Sequence, residues 1–475
     1  MKFVVSVLFA ALLVGSLEAR TWTQAATGKE IEAEFVESDG ESVSLRLANG
    51  AVAQVLISSL SEADQRWIAS QASAGASASG EWPQFRGPNR DGISTDTGLM
   101  SEWPDSGPKQ LWVYDDAGNG YSGFAISGGK LYTMGTRGAA LEVICLNVSD
   151  GSEVWSSRFA NDDQVGYNPD WGHGPRGTPT VNDGMVYVTG PKGTVACLKA
   201  EDGSKVWSKH LVDDFGGKAG GWGFSASPLV DGDRVVVAPG GEEAGIVCLD
   251  KKTGSVIWKA SEVQPGKAEY ASIVPCEING TWQYVKLFQT ELVGVSAEDG
   301  SLLWTSPWEG KTAVIPTPIV QENELYITSG YGVGCKLVSI DADYNATDVW
   351  RNREMKNHHG GVIYLDGYIY GFSEGPGLMC QSWETGEMVW NHKDRYTLKG
   401  SVHLADGMLY AFNEDDGTLT LVEANPDGYV EKGQLKLEPE SEIRHAKGKF
   451  WTHPVVIGGV LYLRDQDIIA AYAVR

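Results

Sequence analysis

The sequence predicts an all-β protein: an eight-bladed β-propeller of four-stranded blades, preceded by a small separate unit of short strands. Three observations carry that expectation. A strand–turn–strand unit recurs with a period of roughly 40–50 residues, the spacing of propeller blades. Eight short turn dipeptides, five of them Asx-Gly, separate alternating apolar runs, and Asx-Gly in that setting is the strongest local sign of a hairpin. The 475 residues include 59 glycines and 17 tryptophans at a charged fraction of 21%. That composition suits tight turns and a repeat fold that grows without one enlarging core.

The repeat is clearest at residues 247–258, Val-Cys-Leu-Asp-Lys-Lys-Thr-Gly-Ser-Val-Ile-Trp. Asp250 can accept from turn amides, Gly254 can take a positive φ, and Trp258 follows on the outgoing strand. Copies run from Cys145 through Gly151 to Trp155, and from Cys197 through Gly203 to Trp207. Others run from Gly294 through Gly300 to Trp304 and from Cys380 through Gly386 to Trp390, with looser copies ending at Trp350 and near Gly428. The column of Cys145, Cys197, Cys248 and Cys380 carries Gly294, Ser339 or Val422 elsewhere. It reads as a small buried strand position where cysteine behaves as a compact hydrophobe. Structural thiols are expected there, while pairing of Cys276 with Cys335 stays open.

In chain order, residues 1–19 join Lys2 to an apolar run and predict a signal peptide, hence an exported, soluble protein, periplasmic or extracellular. No later stretch is apolar enough to span a membrane. Residues 20–70 predict four or five short strands and a helical turn; Ser42-Val-Ser-Leu-Arg-Leu47 alternates plainly. Residues 71–80 are Ala, Ser and Gly with one Gln and predict a flexible linker. The propeller is expected over 81–475. Its lead-in, residues 81–92, is rich in turns, with Trp82 and Phe85 placed to plug one end.

A lone strand around Trp112 follows, with no hairpin partner. First hairpins then turn at Gly128-Gly129, Asp183-Gly184, Asp231-Gly232, Asn279-Gly280, Glu322-Asn323, Asp366-Gly367, Asp406-Gly407 and Gly458-Gly459. Only seven second hairpins follow, because the chain stops after the strand 468–474. The Trp112 strand supplies the missing partner. Both ends of the chain then share the last blade, which closes the ring and removes exposed sheet edges.

The net charge of −24 excludes nucleic acid as a partner, since phosphate binding needs clustered Lys and Arg. The same charge favours a monomer. In a propeller, the loops leading into the innermost strands open on one face. Here they carry Tyr121, Trp171, His173, Arg176, Trp222, Tyr270, Lys311, His358, His359, Lys399, Trp451 and His453, with His403 just inside its strand. Aromatic rings with converging Arg, Lys and His suit an anionic, planar or sugar-like ligand. Satisfaction of loop backbone is the alternative role. No metal site is expected: adjacent His358 and His359 on an extended strand face opposite ways, and no EF-hand spacing occurs. No catalytic residue is assigned, since no Gly-x-Ser-x-Gly, Walker loop or c-type haem motif is present.

The tryptophan repeats (Trp112, Trp155, Trp207, Trp258, Trp304, Trp350 and Trp390) resemble those of the pyrroloquinoline quinone (PQQ) repeat, or quinoprotein alcohol dehydrogenase-like, superfamily. Trp171-Gly-His-Gly-Pro-Arg176, Asp214-Phe-Gly-Gly, Ile315-Pro-Thr-Pro, Asn357-His-His-Gly360 and Leu461-Tyr-Leu-Arg-Asp-Gln-Asp467 are similar to an exported branch of PQQ-binding-like propellers. Residues 20–70 resemble the SHD1 module, an SH3-like barrel that binds peptides. The resemblance implies a fold more than an activity. The superfamily contains quinoprotein alcohol and sugar dehydrogenases, and also a non-catalytic propeller subunit of the outer-membrane β-barrel assembly machine. Its dehydrogenases hold PQQ against a Trp with calcium and an Asp base, and many carry a disulfide of adjacent cysteines. This chain lacks that pair and the long inter-blade insertions. A non-catalytic binding or scaffold propeller without cofactor is therefore expected. Its partner would be an envelope or extracellular protein, or a carbohydrate or small molecule. The alternative is a dehydrogenase using PQQ with calcium.

Overall fold

Short turns with left-handed residues are what allow this chain to reverse so often. Asn279 and Gly280 take φ of 53° and 72°, and Asp366 and Gly367 take 48° and 84°, as two-residue hairpins require. In the turn at residues 231–234 the expected position shifts by one: Asp231 pairs with Arg234, so Gly232-Asp233 form the loop. The computed structural model describes residues 20–38, 42–47, 51–61, 63–65, 67–68, 80–161, 167–168, 170–395 and 398–475. The predicted signal segment and nearly all of the predicted linker lie outside them. The chain divides into two compact units, 1–76 and 77–475.

In the first unit, Arg20–Thr23, Glu30–Ser38, Ser42–Leu47 and Val52–Leu56 form a four-stranded antiparallel meander. Trp22 anchors its core with Val43, Leu45 and Leu60, and its indole N–H donates to Ala33 O at 2.9 Å. Asp64 ties the helical residues to the first strand: it accepts from Thr23 N at 2.8 Å and pairs with Arg20 at 3.2 Å.

The second unit is all-β and propeller-like, its described residues forming eight successive antiparallel sheets of four strands, one extended by a fifth. Their first strands are Ala125–Ser127, Thr180–Asn182, Leu229–Asp231, Val274–Ile278, Ile319–Gln321, Val362–Leu365, Gly400–Ala405 and Val455–Ile457. The second and third strands of each sheet are buried along most of their length, as in Met408–Asn413. Neighbouring sheets cover both faces, so polar alternation is lost there. In the eighth sheet, Ile468–Ala473 pairs with Lys109–Tyr114, placing Ala471 opposite Trp112. The orphan strand thus lies beside the last one.

The repeated tryptophans join one sheet to the next. The indole N–H of Trp112 donates to Val148 O at 2.9 Å, Trp155 to Ala200 O at 3.0 Å, Trp207 to Lys251 O at 2.9 Å and Trp258 to Ala297 O at 3.2 Å. Trp350 and Trp390 do the same to Trp383 O and Asn425 O. Each of the first four rings lies on the turn glycine of the following sheet; a Cβ at Gly254 would come within 2.9 Å of Trp207. Burying such a ring contributes roughly 2–3 kcal/mol, on top of the hydrogen bond. Trp304 departs from the pattern. It turns back over Gly294 and donates to Gln283 Oε1 at 2.6 Å.

The cysteine column needs two corrections. Opposite the tryptophan column stand Leu337 and Leu421, not Ser339 and Val422. Longer connections at 341–345 and 424–430 move the count; the bulge before each is shared with the other repeats and does not. All six cysteines are buried and free, Cys276 and Cys335 included.

Residues 82–94 cross the inner strands and satisfy their free edges. Trp82 exchanges two backbone bonds with Ile126, at 2.8 and 2.7 Å, and Val181 N donates to Pro83 O. Arg90 donates to Pro228 O at 2.5 Å and Ile273 O at 2.9 Å, and Arg86 to Val362 O at 2.6 Å. Leu404 N donates to Gly92 O, and Ile93–Ser94 adds a parallel fifth strand to the seventh sheet. Six of the eight sheets are therefore pinned by one segment. Gly87 is required within it, because a Cβ there would sit 2.6 Å from the Trp82 ring.

Candidate ligand-binding cup

In a four-stranded meander the 2–3 turns lie at the same end as the loops leading into strand 1. Those two sets of loops build the wall of a cavity of about 850 Å³, and the 82–94 segment supplies its floor through Trp82, Phe85 and Arg86. Tyr121, Trp171, Arg176, Trp222, Tyr270, His358, His359, Lys399, His403, Trp451 and His453 all line it. Two expected residues do not. His173 is held off the wall where the chain is pinned at Gly172 and Gly174, whose close neighbours are Tyr121 Oη and Asn119 O. Lys311 lines a separate depression with Glu309 and Arg351.

Trp451 is the centre of the wall. Its ring lies 5.0 Å from Tyr121, 6.1 Å from Trp171 and 5.8 Å from His359. Its indole N–H donates to Glu414 Oε2 at 2.9 Å. Arg176 lies 5.2 Å over Tyr121 and is held by Gly172 O at 2.8 Å, so its charge is fixed in place. Across the cup Trp222 and Tyr270 pair at 6.1 Å.

His358 and His359 both reach the wall, because residues 357–359 precede their strand, but they diverge to different carboxylates. His358 pairs with Glu374, and His359 Nδ1 stands 3.4 Å from Glu414. Burial above all, then His358 and Lys399, pushes His359 down to about 3. Burial and the Arg86 charge do the same to His403 and His453, each to about 3. Three imidazoles are thus neutral under the cup at any ordinary pH. Burial raises the Glu414 carboxyl, partly offset by the Trp451 bond.

The sign of the resulting pH dependence follows. An unfolded His403 gains a proton near pH 6.5 and the folded one does not. Its contribution to stability is present at neutral pH and lost as pH falls from about 6.5 towards 3. Between pH 7 and 5 the loss amounts to about 1–2 kcal/mol, at 1.36 kcal/mol per pH unit. His403→Asn is expected to shrink the pH 7-to-5 drop in urea-unfolding free energy by that amount. Parallel profiles for the two proteins would contradict it.

Sequence reasoning missed Tyr331, Glu414, Asp415, Lys449 and Arg86. The first three come from 2–3 turns, and the parity of a four-stranded meander was the available clue. Arg86 belongs to a segment whose path no periodicity reveals.

A quinone of the PQQ type is a planar polyanion, and the cavity's rings and cations fit its charge. Glu414 is engaged by Trp451, Asp415 is paired with Lys449 at 2.6 Å, and no group of three or more His, Cys, Asp or Glu among the described residues could hold a metal.

The fold and the cup define a propeller-like protein of tryptophan-docked repeats with a recessed, aromatic-lined cavity. A family profile described as outer membrane protein assembly factor BamB, of the PQQ repeat type, matches residues 104–210 and 140–392, and the chain belongs to that family. It is 27% identical over 192 residues, 37% of its length, to the quinoprotein alcohol dehydrogenase PedH of Pseudomonas putida KT2440. It is 32% identical over 85 residues, 17% of its length, to outer membrane protein assembly factor BamB of Salmonella typhimurium. These matches span only 29% and 20% of the relatives' own lengths. The structure superposes on quinohemoprotein alcohol dehydrogenase from Comamonas testosteroni with a TM-score of 0.59 at 13% identity, over 87% of this chain and 84% of that one. That likeness concerns the fold. Among the described residues, no helix is long and apolar enough to cross a membrane.

Proposed function

We propose that this chain is an exported, non-catalytic binding protein: an eight-bladed propeller, closed by its two ends, that takes a small ligand in its cup, with an SH3-like module at residues 20–70. The observation that carries the reading is the cup itself. It combines aromatic faces, fixed cations and a floor of the chain's own residues, and among the described residues no group of three or more His, Cys, Asp or Glu could hold a metal there. Sites with a predominantly apolar lining and a few converging polar groups are built for recognition. The likeness to BamB supports a role without chemistry, with an envelope protein as a further partner of the same molecule.

The test is a titration of the full chain with neutral and acidic oligosaccharides and with PQQ, followed by tryptophan fluorescence. A saturable change is expected, and it should vanish in Trp451→Ala while thermal unfolding shows that variant folded. An unresponsive wild-type protein would sink the reading. A second reading, a PQQ-dependent oxidoreductase, draws on the likeness to PedH. Dye reduction with an alcohol in the presence of PQQ and calcium would establish it in place of the first.

A further inference from the structure

The charge of the cup is opposite to that of the chain that builds it. The whole sequence carries −24, yet the cup is lined by five Arg and Lys side chains and two carboxylates. Counting Asp91, which lies close enough to Arg86 to act on its charge, still leaves an excess of two cations. A fixed positive field inside an acidic protein concentrates anions at that one place.

Arg86, at the floor, is 6% exposed. Its Nη2 donates to Asp91 O and Val362 O and its Nε to Arg90 O, while Nη1 has no acceptor within reach among the described residues. Gly361, also on the cavity wall, lies so near that nitrogen that a Cβ would come within 2.1 Å. Any side chain at position 361 would displace that guanidinium edge, which has no hydrogen-bond partner among the described residues, although a buried unpaired N–H of a charged group is costly. Lys399, on the wall, likewise has no carboxylate within ion-pair distance among the described residues. Between the two cations, His453 Nε2 meets His359 O at 3.0 Å, and these imidazoles are neutral and add no competing charge.

The rings argue about the body of the ligand. A flat tricyclic ligand is best held between parallel faces. Here Trp171 and Trp451 cross at 41°, Tyr121 and Trp451 at 49°, and Trp222 and Tyr270 at 54°. Tilted, separated platforms suit successive puckered rings, each stacked on its own face. The volume of about 850 Å³ lies near the upper end for small-ligand sites, and Ser225 and Thr317 add hydroxyls on the same lining that have no partner among the described residues.

We infer that the cup takes the end of an acidic oligosaccharide, with a ring carboxylate on Arg86 and Lys399 and the sugar rings against Trp171, Trp222 and Trp451. The inference rests on the cup being the binding site, as proposed above. Calorimetric titration of the full chain with trigalacturonate, its fully methyl-esterified counterpart, maltotriose and PQQ tests it. Trigalacturonate is expected to bind at least tenfold more tightly than the ester, and Arg86→Gln should erase that difference while retaining the ester's affinity. Should Arg86→Gln fail to fold, Lys399→Gln on the wall is expected to narrow the gap at least threefold. Equal affinity for acid and ester would overturn the carboxylate assignment and leave the cup a sugar site. Binding of PQQ without any of the sugars would overturn the sugar body, and no binding at all would overturn both this inference and the binding reading.

Discussion

Arg464→Ala is expected to lower the unfolding free energy of the 77–475 unit by roughly 3–5 kcal/mol, because it strips a buried charged donor from several carbonyls at once. Arg464 is 1% exposed and belongs to the eighth sheet. Its Nη1 donates to Thr133 Oγ1 at 2.7 Å and Met134 O at 2.8 Å, and its Nη2 to Ala117 O at 3.2 Å. Those acceptors belong to the first sheet and the loop before it, some 330 residues away in sequence. Burial pushes the guanidinium down to about 9, the opposing pull of Asp467 and Asp465 being smaller. The side chain is thus a clasp between the last sheet and the first. Lysine should not restore it, since a single ammonium cannot reach a forked set of acceptors. Urea-unfolding midpoints measure the loss, and a change below 1 kcal/mol would show that the carbonyls find other partners.

Removing residues 468–475 is expected to leave the second unit unable to fold. The strand Ile468–Ala473 pairs with Val460–Asp465 on one edge and Lys109–Tyr114 on the other. Its residues Ile469, Ala470 and Ala471 are fully buried and enter two separate hydrophobic clusters. Truncation strands Trp112 without a partner strand, opens two sheet edges and uncovers both clusters. That loss exceeds the 5–15 kcal/mol by which a domain is ordinarily stable. Near-ultraviolet circular dichroism and limited proteolysis read the outcome. A truncated chain with an intact aromatic spectrum would show that the terminal strand is an ornament and not a closure.

The positions of the turns were legible because they depend on two or three neighbouring residues. Asn279-Gly280 and Asp406-Gly407 need only a left-handed pair between apolar runs, and that is local chemistry. The wall aromatics were legible for a related reason: Tyr121, Trp171, Trp222 and Trp451 sit in loops where core packing gives no cause for a large ring. Glu414 and Tyr331 were not, since acidic and tyrosine residues in turns are ordinary and only the parity of the strands brings them to the mouth. Ser339 was misplaced against Leu337 because a longer turn adds residues that a fixed count cannot see.

By itself the sequence determined the repeating strand–turn–strand unit, the tryptophan column and the strand that would have to partner the last one. Each of these follows from spacing along the chain. Only the tertiary structure decided that Arg86 reaches the floor of the cup, that His173 stays off the wall and that Trp304 folds back on its own sheet. Those outcomes depend on contacts between residues far apart in sequence, such as Arg86 with Val362 or Trp304 with Gln283. Close packing settles them one neighbour at a time, and no periodicity records it.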